Sequence, residues 1–367
     1  MSLRTPPATQ PNAEDTDVLV RKDNALGRIT LNRPQAINAL SLEMVRQIQV
    51  GLDRFEDDPS VEIVLLDGAG DRGFCAGGDI VALSDSAKQG TDDARIFWTE
   101  EYVLNARIAN FPKPVVAIMD GVVMGGGIGL AGHASHRLAT ERLVSAMPEV
   151  GIGFAPDVGG TWLLSRQDGE LGTHLALTGA RIGARDAIAA GLADRIIASG
   201  AIEELVEELA SGDLEGAIDT AEEVEVEIPD GNLVDSRRWI AECYAHDTAE
   251  EIVAALRARP EKAAKVSALG ILSKSPTSVK VTLRALREAA GMGALEDALR
   301  QELRISCGFL SHPDFVEGVR AQVIDKDRKP QWSPATLAEV DDDTVDRFFA
   351  SLGEHDLDLD ADGARNG

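Results

Sequence analysis

Two carboxylates stand out because each directly follows a proline in a loop rich in glycine. Glu149 comes after Pro148, and Asp157 comes after Pro156, in a segment with apolar residues on both sides of each acid. Burial is therefore expected, and buried carboxylates often have pKa values suited to proton transfer. The alternative is a pair of surface acids, because the chain contains 62 Asp and Glu residues. The pattern alone leaves both interpretations open.

A glycine-rich turn precedes these acids. The β-branched run Val115–Met119 predicts a strand, and Gly125, Gly126 and Gly127 follow it before an apolar helical segment. Glycine lets a ligand approach the backbone closely, and the first N–H groups of a helix have no intrahelical acceptor. The turn therefore suits an anion, or an oxygen that gains negative charge during a reaction.

A second glycine turn lies earlier in the chain. Residues 61–66 predict a buried strand, which leads into the phrase Phe74-Cys75-Ala76-Gly77-Gly78-Asp79-Ile80. Turns that follow parallel strands meet at one edge of a sheet, where open α/β folds bind ligands. We expect the two glycine turns to face a single pocket.

A dinucleotide site is an alternative for the later turn. Gly127, Gly129 and Gly132 match G-x-G-x-x-G, and Glu149 lies where a ribose-binding acid would be expected. In the dinucleotide motif, however, the first glycine stands at the end of the strand, whereas here residues 121–126 intervene. Such matches are also frequent by chance, so this interpretation is the weaker one.

Metal and thiol chemistry have less support. His133 and His136 are three residues apart, but no third zinc ligand has suitable spacing, and we predict no metal site. Cys75 adjoins a glycine turn without a nearby histidine in the sequence, so a small buried filler is the favoured role. No G-x-S-x-G elbow is present, which disfavours a serine hydrolase.

The surrounding pattern predicts the elements that hold these turns. Strand and helix signals alternate up to about residue 200, which is typical of parallel strands with right-handed crossovers. The rest of the chain is mainly helical. The predicted elements are a hairpin over 18–31, strands at 61–66, 115–119 and 195–197, and helices from 42, over 92–109, 185–190, 201–210, before Pro260, after Pro276 and over 294–307.

Composition limits the partners and the compartment. A formal charge of −26 with no cluster of Lys and Arg argues against nucleic acid as a partner. No run approaches the roughly 20 apolar residues of a membrane span, and residues 1–16 lack the apolar stretch of a signal peptide. The three cysteines, Cys75, Cys243 and Cys307, are widely separated, which favours reduced thiols. We therefore predict a cytoplasmic protein with no membrane partner.

The same features suggest a domain organisation. We predict a disordered leader at 1–16, a core at 17–210, an acidic connection at 211–234, a mainly helical region at 235–350 and a disordered acidic tail at 351–367.

Several of these phrases together resemble the crotonase (enoyl-CoA hydratase/isomerase) superfamily. The phrases are residues 74–79, 124–127, 147–149 and 156–160, and the resemblance continues at 275–284, 315–320 and 324–327, so that it covers about residues 17 to 350. The C-terminal phrases are similar to the branch of that superfamily that hydrolyses thioesters.

The resemblance implies an α/β fold, a spiral of ββα-type repeats with a helical C-terminal region, that binds an acyl-CoA. It implies an oxyanion hole made by the N–H groups of Gly78 and Gly126, which agrees with the two facing glycine turns. Residues implied to bind CoA or substrate are Gln35, Ala36, Ile37, Ala76, Asp79, Ile80 and Gly125. It implies no resident cofactor, since coenzyme A is part of the substrate, and a trimer-based homo-oligomer as the assembly.

One departure from the superfamily bears on the reaction. A hydratase that resembles crotonase uses two glutamates, and the first would fall at Gly129, whereas Glu149 matches the second. In the hydrolytic branch the matching acids are Glu149 and Asp157, and both are present. The resemblance therefore implies hydrolysis of a short-chain 3-hydroxyacyl-CoA, with 3-hydroxyisobutyryl-CoA as the first choice. A hydratase or isomerase, and a non-catalytic acyl-CoA-binding protein, are the alternatives.

Overall fold

The computed structural model describes residues 16–359. Most of the leader predicted at 1–16, and the last eight residues of the acidic tail predicted at 351–367, lie outside the described residues.

The strands form one large sheet and one small sheet. They are β1 (Val18–Asp23), β2 (Leu26–Leu31), β3 (Ile63–Gly68), β4 (Val115–Met119), β5 (Val122–Met124), β6 (His136–Thr140), β7 (Val144–Ala146) and β8 (Arg195–Ile197). The large sheet has the order β1-β2-β3-β4-β6-β8, and β5 pairs with β7 in the small one. β1 and β2 are antiparallel, as predicted for the hairpin, and the remaining pairs are parallel.

The chain follows a repeated path between these sheets. After β4 it enters β5 and a short helix, and after β6 it enters β7 and the 3₁₀ turn Glu149–Ile152. The segment after β3 begins the same path, since Cys75 forms a parallel bridge to Val123 in β5. This path confirms the predicted α/β spiral and carries each loop after a large-sheet strand to the small sheet.

Helices cover the sheets and form most of the C-terminal region, as predicted. Ser41 caps the first helix by accepting from Met44 N, as its position before the apolar pattern predicts. The helices are α1 (Leu42–Asp57), α2 (Ile80–Gln89), α3 (Asp93–Ala109), α4 (Gly126–Ala131), α5 (Gly160–Ser165), α6 (Leu171–Thr178), α7 (Ala184–Ala189), α8 (Ile202–Leu209), α9 (Leu214–Glu222), α10 (Leu233–Tyr244), α11 (Ala249–Ala258), α12 (Lys262–Leu272), α13 (Pro276–Ala289), α14 (Leu295–Leu310), α15 (Pro313–Val319) and α16 (Asp342–Asp346).

The large sheet separates two apolar cores, because alternate residues of a strand point to opposite faces. On β3, Ile63 and Leu65 pack with residues of α8 and α9, whereas Val64 and Leu66 face the larger core that holds α1 and α3. The strand begins two residues later than predicted, because Ile63 is the first residue that pairs with β2.

The acidic connection predicted at 211–234 contains α9. Asp213 caps this helix, and Ala217, Ile218 and Ala221 are buried in the core under the sheet. This segment is therefore charged on its outer face, whereas its inner face is apolar and packs in the core. It is more than a simple connection.

The C-terminal helical region packs directly on the loops that carry the predicted site. A Cβ on Gly318 in α15 would overlap the backbone of Ile152, and a Cβ on Gly153 would overlap the backbone of Asp314. Asp314 is fully buried and accepts from Ser275 Oγ at 2.5 Å and from Ser333 N at 2.7 Å. The contacts leave no space for a side chain between α15 and the turn at 149–153.

The described part of the predicted tail is packed rather than disordered. Leu357 is buried, and Asp356 accepts from Arg304 Nε at 2.7 Å on α14. The structure therefore differs from the predicted boundary at 351, because residues 351–359 have an apolar anchor and an ion pair that the acidic composition did not indicate.

The glycine contact predicts a stability effect. Gly318→Ala should lower the free energy of unfolding by about 1–3 kcal/mol, because the added methyl group overpacks the contact with Ile152. Gly270→Ala on α12 is the matched control, since nothing lies within 4 Å of its Cβ position and helix propensity should raise stability by about 0.5–1 kcal/mol. Urea unfolding of both variants checks this, and equal effects of the two would contradict it.

Candidate active site

The two predicted glycine turns lie side by side. Met124 N donates to Cys75 O at 3.0 Å, and Cys75 N donates to Val122 O at 3.1 Å, so the turn after β5 runs along the turn after β3. A Cβ on Gly126 would lie 3.3 Å from the N atom of Gly78. The backbone amides of Gly78 and Gly126 are therefore neighbours, as predicted for a shared pocket.

Glycine is required in both turns. Gly77 has φ of +106° and Gly125 has φ of +48°, in the region that side chains disfavour. Gly126 is the first residue of α4, so its N–H has no intrahelical acceptor and can face a ligand.

The Glu149 carboxyl adjoins this pair of turns. A Cβ on Gly125 would lie 3.0 Å from Glu149 Oε1. Glu149 starts the 3₁₀ turn after β7, Pro148 precedes it, and only 6% of the residue is exposed. Its Oε2 atom is buried and has no hydrogen-bond partner among the described residues. The carboxyl is thus available to a bound molecule.

Asp157 is also buried, at 7% exposure, but it has a partner. Tyr102 Oη donates to Asp157 Oδ2 at 2.8 Å, and a second hydrogen bond of 2.8 Å joins Tyr102 Oη to Ser306 Oγ. The prediction that both acids are buried is therefore confirmed, and surface exposure is excluded for both.

Helix α3 adds polar residues that the sequence analysis missed. A Cβ on Gly126 would lie 2.5 Å from Glu101 Oε1, and a Cβ on Gly129 would lie 2.9 Å from Asn105 Nδ2. Glu101 Oε1 and both polar atoms of Asn105 are buried without partners among the described residues. Residues four apart on a helix share a face, but this spacing alone does not show which face of α3 meets α4.

Burial dominates the electrostatics of these acids. It raises the pKa of Glu101 and of Glu149 well above the usual range, and the nearby Asp157 carboxylate raises both further. Burial raises the pKa of Asp157 to about 7, against the hydrogen bond from Tyr102. No Lys or Arg within residues 16–359 forms an ion pair with Glu101, Glu149 or Asp157. Burial and the repulsion between the carboxylates therefore oppose simultaneous ionisation of the three acids.

The predicted CoA segments are also brought together. Ala76 N donates to Ile37 O at 2.9 Å, and Asp79 N donates to Leu40 O at 2.9 Å, so residues 35–37 lie against 76–80 next to the glycine turns. Gln35 and Ala36 belong to a 3₁₀ turn, and Ile80 begins α2. Two cations that were not singled out in the sequence lie here: Arg72 donates to Gln35 O at 3.3 Å, and Arg33 lies 3.5 Å from Asp79.

The competing motifs have structural explanations. Cβ atoms at Gly127, Gly129 and Gly132 would meet protein atoms of Cys75, Val158 and Leu163, so these glycines serve packing. His133 is buried with its pKa lowered to about 4, and burial raises the pKa of the Cys75 thiol to about 12. Within the described residues, no group of three or more His, Cys, Asp and Glu side chains could hold a metal ion.

Known proteins are similar to this chain over most of its length. The family model for Enoyl-CoA hydratase/isomerase matches residues 26–349. The chain belongs to this family. The superfamily predicted from the glycine and acid phrases is therefore confirmed.

Among curated relatives, two illustrate the degree of similarity. The rat (Rattus norvegicus) protein named 3-hydroxyisobutyryl-CoA hydrolase, mitochondrial, is 42% identical over 354 residues, which cover 94% of this chain and 92% of the relative. The human (Homo sapiens) protein of the same name is 40% identical over 349 residues, 93% of this chain and 90% of the relative.

Two solved structures share the fold over nearly the whole chain. A protein described as a carnitinyl-CoA dehydratase from Mycobacterium thermoresistibile is 47% identical, with a TM-score of 0.89, and the match covers 94% of this chain and 99% of that one. A protein described as an enoyl-CoA hydratase from Rhodobacter sphaeroides 2.4.1 is 41% identical, with a TM-score of 0.86, and the match covers 94% and 100%.

Within the family, position 129 distinguishes this site from a two-glutamate hydratase. A Cβ on Gly129 would lie 2.6 Å from Val158 Cβ and 2.9 Å from Asn105 Nδ2. Val158 itself has φ of +55°, which is unusual for a β-branched residue. The segment next to Asp157 therefore fills the space that a glutamate at 129 would need.

The burial of Glu149 predicts that removing its carboxyl group stabilises the protein at high pH. A folded-state pKa above the unfolded value means that Glu149 destabilises the fold increasingly as pH rises above about 4.3. Glu149→Gln should therefore raise the thermal midpoint at pH 8 by at least about 2 °C, with little difference at pH 4. Exposed Glu203→Gln is the control, and scanning calorimetry at both pH values is the measurement. A lower midpoint for Glu149→Gln at pH 8 would contradict the assignment.

Proposed function

We propose that this chain hydrolyses the thioester of a short-chain 3-hydroxyacyl-CoA, and that 3-hydroxyisobutyryl-CoA is its substrate. The names of the curated relatives at about 40% identity over more than nine-tenths of the chain support the substrate. The observation that carries the reaction type is the placement of the Glu149 carboxyl beside the paired amides of Gly78 and Gly126, with no acid at 129.

In this proposal the two glycine amides bind the thioester oxygen. That oxygen gains negative charge as its carbon is attacked, and two fixed N–H donors stabilise it by several kcal/mol in a dry site. Gly78 and Gly126 meet this need because their backbones are already held in place by the contacts between β5 and residues 73–75.

Glu149 supplies the attack on the thioester carbon. Either its carboxylate forms a mixed anhydride and releases the CoA thiolate, with water then cleaving the anhydride, or it removes a proton from water that attacks directly. Both routes consume one water and yield the free hydroxy acid and CoA. Asp157, which Tyr102 holds at 2.8 Å, positions the substrate hydroxyl or the water and exchanges protons with it.

Glu101 and Asn105 extend this polar surface. Both lie on one face of α3 next to α4, and their buried atoms lack partners among the described residues. A buried polar group without a hydrogen bond costs about 1–3 kcal/mol, which a polar acyl group would offset. We therefore assign them to the hydroxylated end of the acyl chain.

The CoA portion is assigned to the segments that adjoin the glycine turns. Ile37 accepts from Ala76 N and Leu40 accepts from Asp79 N, which joins the segment of Gln35, Ala36 and Ile37 to the one that ends at Ile80. Gly125 lies beside Gly77 and the Glu149 carboxyl. Arg33 and Arg72 are the nearest cations to this segment and are the candidates for the CoA phosphates.

Hydration or dehydration of an enoyl-CoA is the second candidate function. The names of the two solved structures at 47% and 41% identity favour it. The packing of Val158 and Asn105 around Gly129 disfavours it, because it leaves no space at position 129 for the first of the two glutamates of a hydratase. Consumption of crotonyl-CoA without thiol release would select this candidate.

Location and assembly remain predictions. No helix in the described part of the chain is long and apolar enough to cross a membrane. The curated relatives are named mitochondrial, so the predicted cytoplasmic location needs a direct test by fractionation. Light scattering would decide on the predicted trimer-based oligomer.

A thiol-release assay tests the reaction. The wild type should release CoA from 3-hydroxyisobutyryl-CoA, and Glu149→Gln should reduce turnover by about 100-fold or more, because the attacking group is lost. Asp157→Asn should reduce it by a comparable factor, while Glu203→Gln should leave it unchanged. Release from no 3-hydroxyacyl-CoA in a panel would refute the proposal.

The pKa of Asp157 predicts the pH dependence. Since that pKa is raised to about 7, kcat/KM should rise with pH through an apparent pKa near 7, as Asp157 loses its proton and becomes a base. A flat profile across this range would show instead that the acids titrate as exposed groups, with pKa values below it. Initial rates between pH 5 and 9 in buffers of constant ionic strength are the measurement.

A further inference from the structure

Helix α14 places two buried polar residues beside Asp157, and the proposed reaction does not use either of them. Glu302 and Ser306 lie one turn apart on the same face, and each is 1% exposed. They belong to the C-terminal helical region, about 150 residues away from Asp157 in the chain.

The Glu302 carboxyl holds the backbone that follows Asp157. Oε2 accepts from Gly159 N at 2.6 Å, and Oε1 accepts from Thr161 N at 2.9 Å and from Thr161 Oγ at 2.5 Å. Gly160 N donates to the carbonyl of Asp157 at 2.7 Å, so the held segment includes the acid itself. Three N–H and O–H groups donate to the two carboxyl oxygens of Glu302, and such an arrangement favours its ionised form.

Ser306 holds the same acid from the side-chain end. When Asp157 is ionised it accepts from Tyr102 Oη, and Tyr102 Oη then accepts from Ser306 Oγ–H, each at 2.8 Å. One face of α14 therefore contacts both the backbone after Asp157 and the partner of its carboxyl.

The charge of Glu302 is not neutralised by a cation. The titratable groups that interact with its charge are Asp157 from the loop, Glu149 from the 3₁₀ turn and Tyr102 from α3. His133 after α4 lies beside Gly159, and its Nε2–H donates to Val158 O at 2.8 Å. Burial raises the pKa of Glu302 to about 8 although its donors act against that shift, so the group is only partly ionised near neutral pH. A negative charge here disfavours ionisation of Glu149.

We propose that Glu302 is a positioning residue for the thioester hydrolysis: it fixes Asp157 through Gly159 and Thr161, and it places a further carboxyl beside the acids of the site. This inference rests on the proposed function and extends it to a residue outside the predicted core at 17–210. Glu302 does not contact the reacting atoms, so its effect must appear through Asp157.

Glu302→Gln is the first test, because glutamine keeps the shape but removes the charge and brings an N–H₂ group toward the donors. We expect kcat for 3-hydroxyisobutyryl-CoA to fall by about 10-fold to 100-fold with KM changed less than about 3-fold. The rising limb of the pH profile should also move to lower pH, since a negative charge beside the acids has been removed.

Asp186→Asn is the matched control. Asp186 is a buried carboxyl on α7 that accepts from two backbone amides, Asn232 N at 3.1 Å and Leu233 N at 3.0 Å, outside the site. Asp186→Asn should lower the thermal midpoint as much as Glu302→Gln does, while kcat and the rising limb of the pH profile stay as in the wild type.

Thr161→Val and Ser306→Ala decide the case if Glu302→Gln does not fold. Each variant removes one hydroxyl from the network and keeps the Glu302 carboxyl. We therefore expect kcat to fall by about 3-fold or more, while the rising limb of the pH profile stays at the wild-type pH. Unchanged kcat in both variants would overturn the proposal.

The outcomes separate this inference from the function on which it rests. No thiol release by the wild type from any acyl-CoA contradicts the proposed function. Normal wild-type turnover with a folded Glu302→Gln that keeps its kcat, or that loses kcat without a shift of the limb, contradicts the positioning role alone.

Discussion

The burial of several carboxyl groups without a neighbouring cation is the constraint on which the rest of the site depends. Removing a charge from water is costly, and here no Lys or Arg in the described residues forms an ion pair with Glu101, Glu149, Asp157 or Glu302 to offset that cost. Hydrogen bonds from Tyr102, Gly159 and Thr161 offset part of it. The rest of the cost disfavours the ionised forms, and the unpartnered oxygens of Glu101 and Glu149 leave these two groups available to a bound substrate.

Such a cluster persists only if the surrounding structure is stable enough to hold it. The two cores on either side of the large sheet supply most of that stability, because the apolar side chains of their strands and helices are buried. The close glycine contacts between α15 and the turn at 149–153 fix the acids against the helical region. The predicted separation into a core at 17–210 and a helical region at 235–350 therefore describes the sequence pattern, whereas the site is assembled from both regions.

Local pattern was sufficient to predict most of the elements and part of the site. The strand Val115–Met119, the helix at 93–109 and the adjacent glycine turns follow from periodicity and from glycine after strands. Glu101 could not be chosen over Glu100 in the same way, because α3 is buried on several faces and its apolar pattern does not fix which face meets α4. Glu302 could not be predicted from the sequence for another reason: its contacts with Gly159 and Thr161 join segments more than 140 residues apart.

The absence of a side chain at 129 links the packing of this loop to its chemistry. Val158 takes a left-handed conformation and comes within 2.6 Å of a Cβ position at Gly129, while His133 Nε2 holds the Val158 carbonyl at 2.8 Å. The same strained segment turns Asp157 toward Tyr102 and presents the Gly159 amide to Glu302. One loop conformation therefore excludes a second glutamate and supplies an aspartate in its place. Restoring the glutamate alone would leave it overlapping Val158, so a change of reaction in either direction requires the loop and residue 129 to change together.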